Sequence, residues 1–155
     1  LQFLGKARLK LIIAAMQLER QASTKSSALQ TFASRALALV ARDSEAGAAA
    51  ILDADAVAPL SHALALYMDL PQLRAEVLNA FSALTCTQRG RTAISADNGL
   101  HLVAAAMKMD AAAAACEWGA STFANLACGT AEQKRTIASV GAVAAICAAM
   151  KAQRH

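Results

Sequence analysis

Shifted against itself by 43 residues, this chain brings three segments into register, and few folds accommodate such a repeat. The C-terminal copy reads Ile137-Ala-Ser-Val-Gly141-Ala-Val-Ala-Ala-Ile146-Cys-Ala-Ala-Met150. The same offsets pair Ile51 with Ile94 and Ile137, Asp55 with Asn98 and Gly141, and Leu64 with Met107 and Met150. A second element recurs at nearly the same interval: Ser121-Thr-Phe123-Ala-Asn125-Leu126-Ala-Cys128 matches Asn79-Ala-Phe81-Ser-Ala83-Leu84-Thr-Cys86. Arg35 to Arg42 is a weaker copy of it. The basic stretch Leu9 to Met16 is a fourth copy of the first element, displaced by extra residues around Gln21 to Ser27 that read as a loop.

Composition decides what the repeated unit folds into. Hydrophobic residues make up 57% of the chain, but only 4% are aromatic and there are 2 prolines. Alanine and leucine dominate, and both favour helix, while the scarcity of β-branched and aromatic residues argues against a sheet. Each unit reads as three helices. A short one, near Thr130 to Ser139, stops at Gly141, where Gly, Asn or Asp suits a left-handed turn. A second runs to about Lys151. The long third helix is typified by Ala111 to Ala127, with Asp110 as its N-cap; Pro71 stands at the start of its counterpart, where proline is tolerated.

Taken together, these features resemble the armadillo repeat: an isoleucine, a four-residue step to Gly-Ala-Val, an apolar helix ending in Leu or Met, and a helix closing Phe-Ala-Asn-Leu-Ala. The resemblance covers essentially the whole chain; the short first helix and the Asn-Leu-Ala ending favour it over the related HEAT repeat. It implies an all-α fold, a right-handed α-α superhelix (an armadillo-type solenoid) of about ten helices in a single array, 1–155. Full repeats at 44–86 and 87–128 would lie between partial repeats at 1–43 and 129–155. On that pattern the chain is a piece of a longer array, since neither end carries the polar cap that closes a solenoid. Val143, Ile146 and Met150 expect a following helix, from a longer parent chain or from another subunit.

Helical angles separate the two sides of each long helix. Cys116, Gly119, Ala120, Phe123, Leu126 and Ala127 cluster on one side as core, while Trp118, Ser121 and Asn125 fall opposite, within about 60° of one another. One repeat earlier Val77, Leu78, Phe81 and Leu84 are core, and Glu76, Asn79 and Ala83 face away. In the first unit the outward set is Phe32, Arg35 and Leu39. In armadillo proteins this outward line forms a concave groove, where an Asn binds the backbone of an extended peptide and a Trp stands four residues before it. Asn125 holds the Asn position, but Ser121 holds the Trp position, and Ala83 and Leu39 replace Asn elsewhere. Recognition of basic nuclear-localisation peptides is therefore not carried over. Trp118 is either an interface anchor or packs against the neighbouring long helix; Asn125 either bonds a partner or is solvated.

The residues do not assemble an active site. Side chains of Ser61 and His62 diverge on a helix, and His62 and His101 occupy non-equivalent repeat positions. Asp53 and Asp55 bracket the end of a short helix and suit capping and the turn. There is no phosphate-binding glycine loop. Cys86, Cys116, Cys128 and Cys147 form no C-x-x-C pair and have no His at metal spacing, so they read as buried free thiols of a reducing compartment. We expect no enzyme, catalytic residue, metal, cofactor or small-molecule substrate. No stretch of roughly 18 residues is uncharged and strongly apolar, as a transmembrane segment requires; Val103 to Ala120 is broken by Lys108, Asp110 and Glu117. The 15 basic residues are scattered without stacking aromatics, which argues against nucleic acid. Up to Arg42 the only acid is Glu19, and this basic region reads as a solvated helix edge or as an organellar transit segment. The function expected is a protein-interaction scaffold, binding a peptide or helix through Phe32, Arg35, Glu76, Asn79, Trp118, Ser121 and Asn125. The alternative is a structural subunit built permanently into a large assembly, with neighbours at the uncapped ends. The location expected is intracellular, cytoplasmic or organellar.

Overall fold

A computed structural model describes residues 2–21, 26–96, 98–109 and 113–152. Among these residues the regular structure is entirely helical. In chain order the helices are α1 (Gln2–Gln21), α2 (Ser27–Asp43), α3 (Glu45–Asp53), α4 (Val57–Leu66), α5 (Pro71–Thr85), α6 (Gln88–Ala96), α7 (Gly99–Met109), α8 (Ala113–Ala127), α9 (Ala131–Ser139) and α10 (Ala142–Ala152). The all-α expectation holds, and Pro71 opens α5 as predicted.

The short helices α3, α6 and α9 owe their length to devices that recur with the repeat. Each is preceded by a hydroxyl residue: Ser44, Thr87 or Thr130. That hydroxyl accepts from the N–H of Gly47 at 3.0 Å, Gly90 at 3.0 Å or Gln133 at 3.2 Å. These bonds satisfy donors that a helix start leaves open. At Thr130 the Gln133 side chain returns the bond, accepting the Thr130 N–H at 2.9 Å. Glycine at 47 and 90 has a packing cause. A Cβ there would lie 2.2 Å from the Val40 carbonyl oxygen and 2.0 Å from that of Leu84, so the short helix starts in backbone contact with the end of the long one.

The other end of each short helix is set by backbone conformation. Asp55, Asn98 and Gly141 adopt φ of 54°, 58° and 76°, the left-handed turn predicted for all three. The chain then bends by 79° between α3 and α4 and by 59° between α9 and α10. No single helix among the described residues is long and apolar enough to cross a membrane; these two pairs reach that length only across their bends.

Packing proceeds in rows. The most extensive helix contacts are α2 with α5 and α5 with α8; α4 packs on α7 and α7 on α10. α1 joins the second row, touching α2, α3 and α4. The result is a helical, repeat-like fold. Ile51, Ile94 and Ile137 are all buried, as are Leu60, Val103, Leu64 and Met107. Phe81 and Phe123 hold equivalent places at 0% and 2% exposure, as predicted, among the buried Val77, Leu78, Leu84 and Leu126.

Several expectations are corrected. Only Cys116 is a buried thiol, while Cys86, Cys128 and Cys147 are exposed. Cys86 and Cys128 follow the last turn of a long helix, where each thiol donates to the carbonyl four residues back. Ala127 lies on the apolar side of α8 yet is exposed, and Ala120 is only half-buried. Their register equivalents on α5, Thr85 and Leu78, are buried because α8 covers them; no described long helix stands beyond α8. Ala83, assigned outward, is buried where α5 is flanked by α2 and α8. Asp53, the last residue of α3, also pairs with Arg89 of α6 at 2.6 Å. Asp110, and residues 22–25 of the predicted loop, lie outside the described residues.

Replacing Phe81 or Phe123 with Ala should lower stability by roughly 3–5 kcal/mol, read as the midpoint of urea denaturation. Phe32→Ala, whose side chain is exposed, should stay within about 0.5 kcal/mol of the parent.

Candidate protein-interaction surface

The long helices carry the predicted outward line, and the structure ties most of it together across helices. Arg35 on α2 reaches Glu76 on α5, with Nε donating to Oε1 at 2.7 Å and Nη2 at 2.6 Å from the same oxygen. Arg42, at the end of α2, donates to Oδ1 of Asn79 on α5. Its guanidinium also lies over the Trp118 ring of α8, 4.6 Å from the centroid. Between α5 and α8, the Ser82 and Ser121 hydroxyls are 2.8 Å apart.

Asn125 is committed in the same way. Its Nδ2 donates to the Ser82 carbonyl at 3.1 Å, to Thr85 Oγ1 at 3.3 Å and toward Cys86 Sγ at 3.6 Å. Ser82 and Thr85 stand in the last turn of α5, so these bonds fasten the end of α5 to the next long helix. The solvated reading of Asn125 is therefore corrected: its amide donor is spent within the chain. The packing reading of Trp118 is met in part. It is half-buried against the core and stacked under Arg42, yet one side stays open.

That open side borders a depression of about 600 Å³. Small residues make it: Ala41, Ala48 and Ala83 line it where larger side chains would fill the space. Arg42, Trp118 and Ser121 stand around them, with the starts of α3 and α6 alongside. The depression is apolar beneath and polar at its margin, which suits one bulky side chain whose backbone stays in water.

The structure thus brings Arg35 together with Glu76, Asn79 with Trp118 through Arg42, and Ser121 with Asn125 through Ser82. Phe32 meets none of them and projects from α2 near Leu70, Pro71 and Leu73. Arg42 and Ser82 escaped sequence reasoning. The available signal was register: Arg42 falls where Cys86 and Cys128 stand, a long cation at the end of the long helix. Arg74, also unforeseen, is fully buried and donates to the Met68 carbonyl at 2.7 Å, tying the start of α5 to the preceding turn. Among the described residues no three His, Cys, Asp or Glu side chains converge as metal ligands would. His62 is half-buried and His101 exposed, on separate helices.

No family model matches the sequence. No curated protein matches it significantly. Crystal structures of two engineered proteins from the Northeast Structural Genomics Consortium are similar to it in fold. One is 20% identical with a TM-score of 0.75, over 89% of this chain and 53% of that protein. The other is 19% identical with a TM-score of 0.77, over 88% and 53%. The chain spans about half the length of each, and at these identities the likeness is one of fold.

The cross-helix contacts give a measurable coupling. In a double-mutant cycle on Arg42→Ala and Trp118→Ala, unfolding free energies should show an interaction of about 0.5–1 kcal/mol, the range for a partly exposed cation over an indole. Additive losses would show that the stacking contributes nothing.

Proposed function

We propose that this chain is part of an armadillo-type repeat protein and works as a non-catalytic scaffold, binding a protein segment along its long helices. On this reading the helices form a right-handed superhelix, with repeats 44–86 and 87–128 between partial repeats 1–43 and 129–155, and the long-helix face is its concave groove. The 43-residue recurrence of caps and left-handed corners supports it. No cofactor, nucleic acid or small-molecule substrate enters the reading.

The depression beside Trp118 is the observation that carries the binding site. Most polar groups on this face are already paired across helices, so they offer little hydrogen bonding to a guest. Trp118 and the alanine-lined hollow are instead preformed and partly apolar. A partner segment would seat one large side chain there, with Arg42 and Ser121 meeting its polar parts. Interface aromatics held in place by their surroundings are the usual anchors of such contacts.

The alternative, a subunit built into a larger assembly, has support of its own. Leu11 and Leu18 on α1, and Val143 and Met150 on α10, are large apolar side chains left in water at opposite ends of the helix rows.

A pull-down from the native source, followed by affinity measurement on the captured protein, tests the groove. Trp118→Ala should weaken binding by at least roughly 2 kcal/mol while its helical circular dichroism is retained. Lys134→Ala, on the exposed side of α9, should bind as the parent does. If Lys134→Ala loses the partner and Trp118→Ala keeps it, the groove reading fails. A chain that aggregates alone and is recovered only in stoichiometric complex would support the subunit reading.

A further inference from the structure

The depression beside Trp118 meets its guest with one face of the indole already occupied. In the row of long helices α5 stands between α2 and α8. The Arg42 guanidinium nevertheless reaches over from α2 and lies 4.6 Å from the centroid of the Trp118 ring. An indole face attracts a cation, and here the chain supplies its own. A guest Lys or Arg arriving at that face would meet a like charge already seated there.

The hydrogen-bonding groups around the hollow are biased in the same sense. The hydroxyl oxygens of Ser44 and Thr87 accept from Gly47 and Gly90, in the short helices that follow them. Gln88 Oε1 accepts twice from Arg91, from Nη2 at 2.8 Å and from Nε at 3.2 Å. Arg91 is itself fixed, since Nη1 donates to the carbonyls of Thr85 at 3.1 Å and Cys86 at 3.2 Å. With its oxygen turned to Arg91, Gln88 has amide N–H groups to offer the hollow. Arg42 gives Nη2 to Asn79 Oδ1 and has further N–H donors at the edge of its guanidinium. Acceptors at the margin are thus engaged within the chain, while donors remain. Glu45 is the one carboxylate among the described lining residues. It is exposed at the first position of α3, where a helix start favours negative charge.

We propose that Arg42 determines what this site accepts, and that the guest is an acidic protein segment. A bulky apolar side chain enters the hollow, and an adjacent Asp or Glu meets Arg42 and the Gln88 amide. The proposal rests on the groove reading above and gives its guest a sign. Arg42 keeps its place on the ring during binding, because a guanidinium stacked by its face still presents donors at its edge. The rival guest is a cationic segment paired with Glu45, which would have to approach Arg42 to reach the indole.

Trp118 is the only tryptophan of the chain, so its fluorescence reads the site directly. The probes are acetylated and amidated peptides of sequence Gly-Glu-Phe-Glu-Gly, Gly-Gln-Phe-Gln-Gly and Gly-Lys-Phe-Lys-Gly, titrated to roughly 10 mM. The Glu peptide should bind about threefold more tightly than the Gln peptide, the scale of an exposed charge pair, and the Lys peptide more weakly than either. Arg42→Gln should level the Glu and Gln peptides. Lys134→Ala removes the same unit of charge from α9 and should keep the preference, which separates Arg42 from the net charge of +4. Glu45→Gln should bind the Glu peptide at least as tightly as the parent does. Each variant is first matched to the parent in circular dichroism and thermal melting. A Lys peptide that binds as tightly as the Glu peptide would overturn the proposal, as would a preference for Glu that survives Arg42→Gln. Equal affinity for all three peptides would overturn the sign of the guest and leave the hollow as a binding site. No saturable change with any of them would overturn both readings.

Discussion

Each long helix has two flanks to bury, and no single unit of this chain can bury both. The packing of α2 on α5 and α5 on α8 meets that requirement, and the other features of the molecule are arranged around it. Ser34, Ala38 and Ala41 on α2 and Ala80 and Ala83 on α5 are all small and buried, and small side chains let packed helices approach closely. The same closeness appears where α3 and α6 start against the ends of α2 and α5, at Gly47 and Gly90. A chain so rich in alanine forms thin helices, and thin helices gain a core only by stacking closely.

Close stacking also explains why this surface is so internally engaged. With the long helices adjacent, side chains on their common face reach across to their neighbours, and Arg35, Arg42 and Asn125 do so. The exposed ion pairs, such as Arg89 with Asp53, are worth little in stability. Asn125 does more, because its amide bonds the next long helix to the Ser82 carbonyl in the last turn of α5. Polar groups engaged in this way hold the helices in register but have less to offer a guest. Recognition on this face then rests on shape: the alanine-lined hollow and the indole that Arg42 holds beside it.

One register position shows how far environment depends on neighbours. Ala41, Thr85 and Ala127 are equivalent residues on α2, α5 and α8. The first two are buried and the third is exposed, because a long helix stands beyond α2 and α5 but none of the described residues forms one beyond α8. The opposite flank shows the same effect at Leu39, Ala83 and Asn125. Helical periodicity assigns a side to each residue. Whether that side is core or surface depends on whether another helix lies against it.

This division marks what the sequence could and could not say. The helices, their count, the 43-residue interval and the left-handed corners at Asp55, Asn98 and Gly141 were legible, because each rests on local preferences that recur along the chain. The equal burial of Phe81 and Phe123 followed from the same periodicity. The exposure of Ala127 and of three cysteines, the burial of Ala83 and the bridging by Asn125 were not legible. Nor was the place of Arg42 between Asn79 and Trp118, since those three residues come from three helices. Local sequence acts over a turn or two of helix, through backbone preference and the angle between side chains. Contacts between repeats join residues about forty positions apart, and their partners are fixed only when the helices stack.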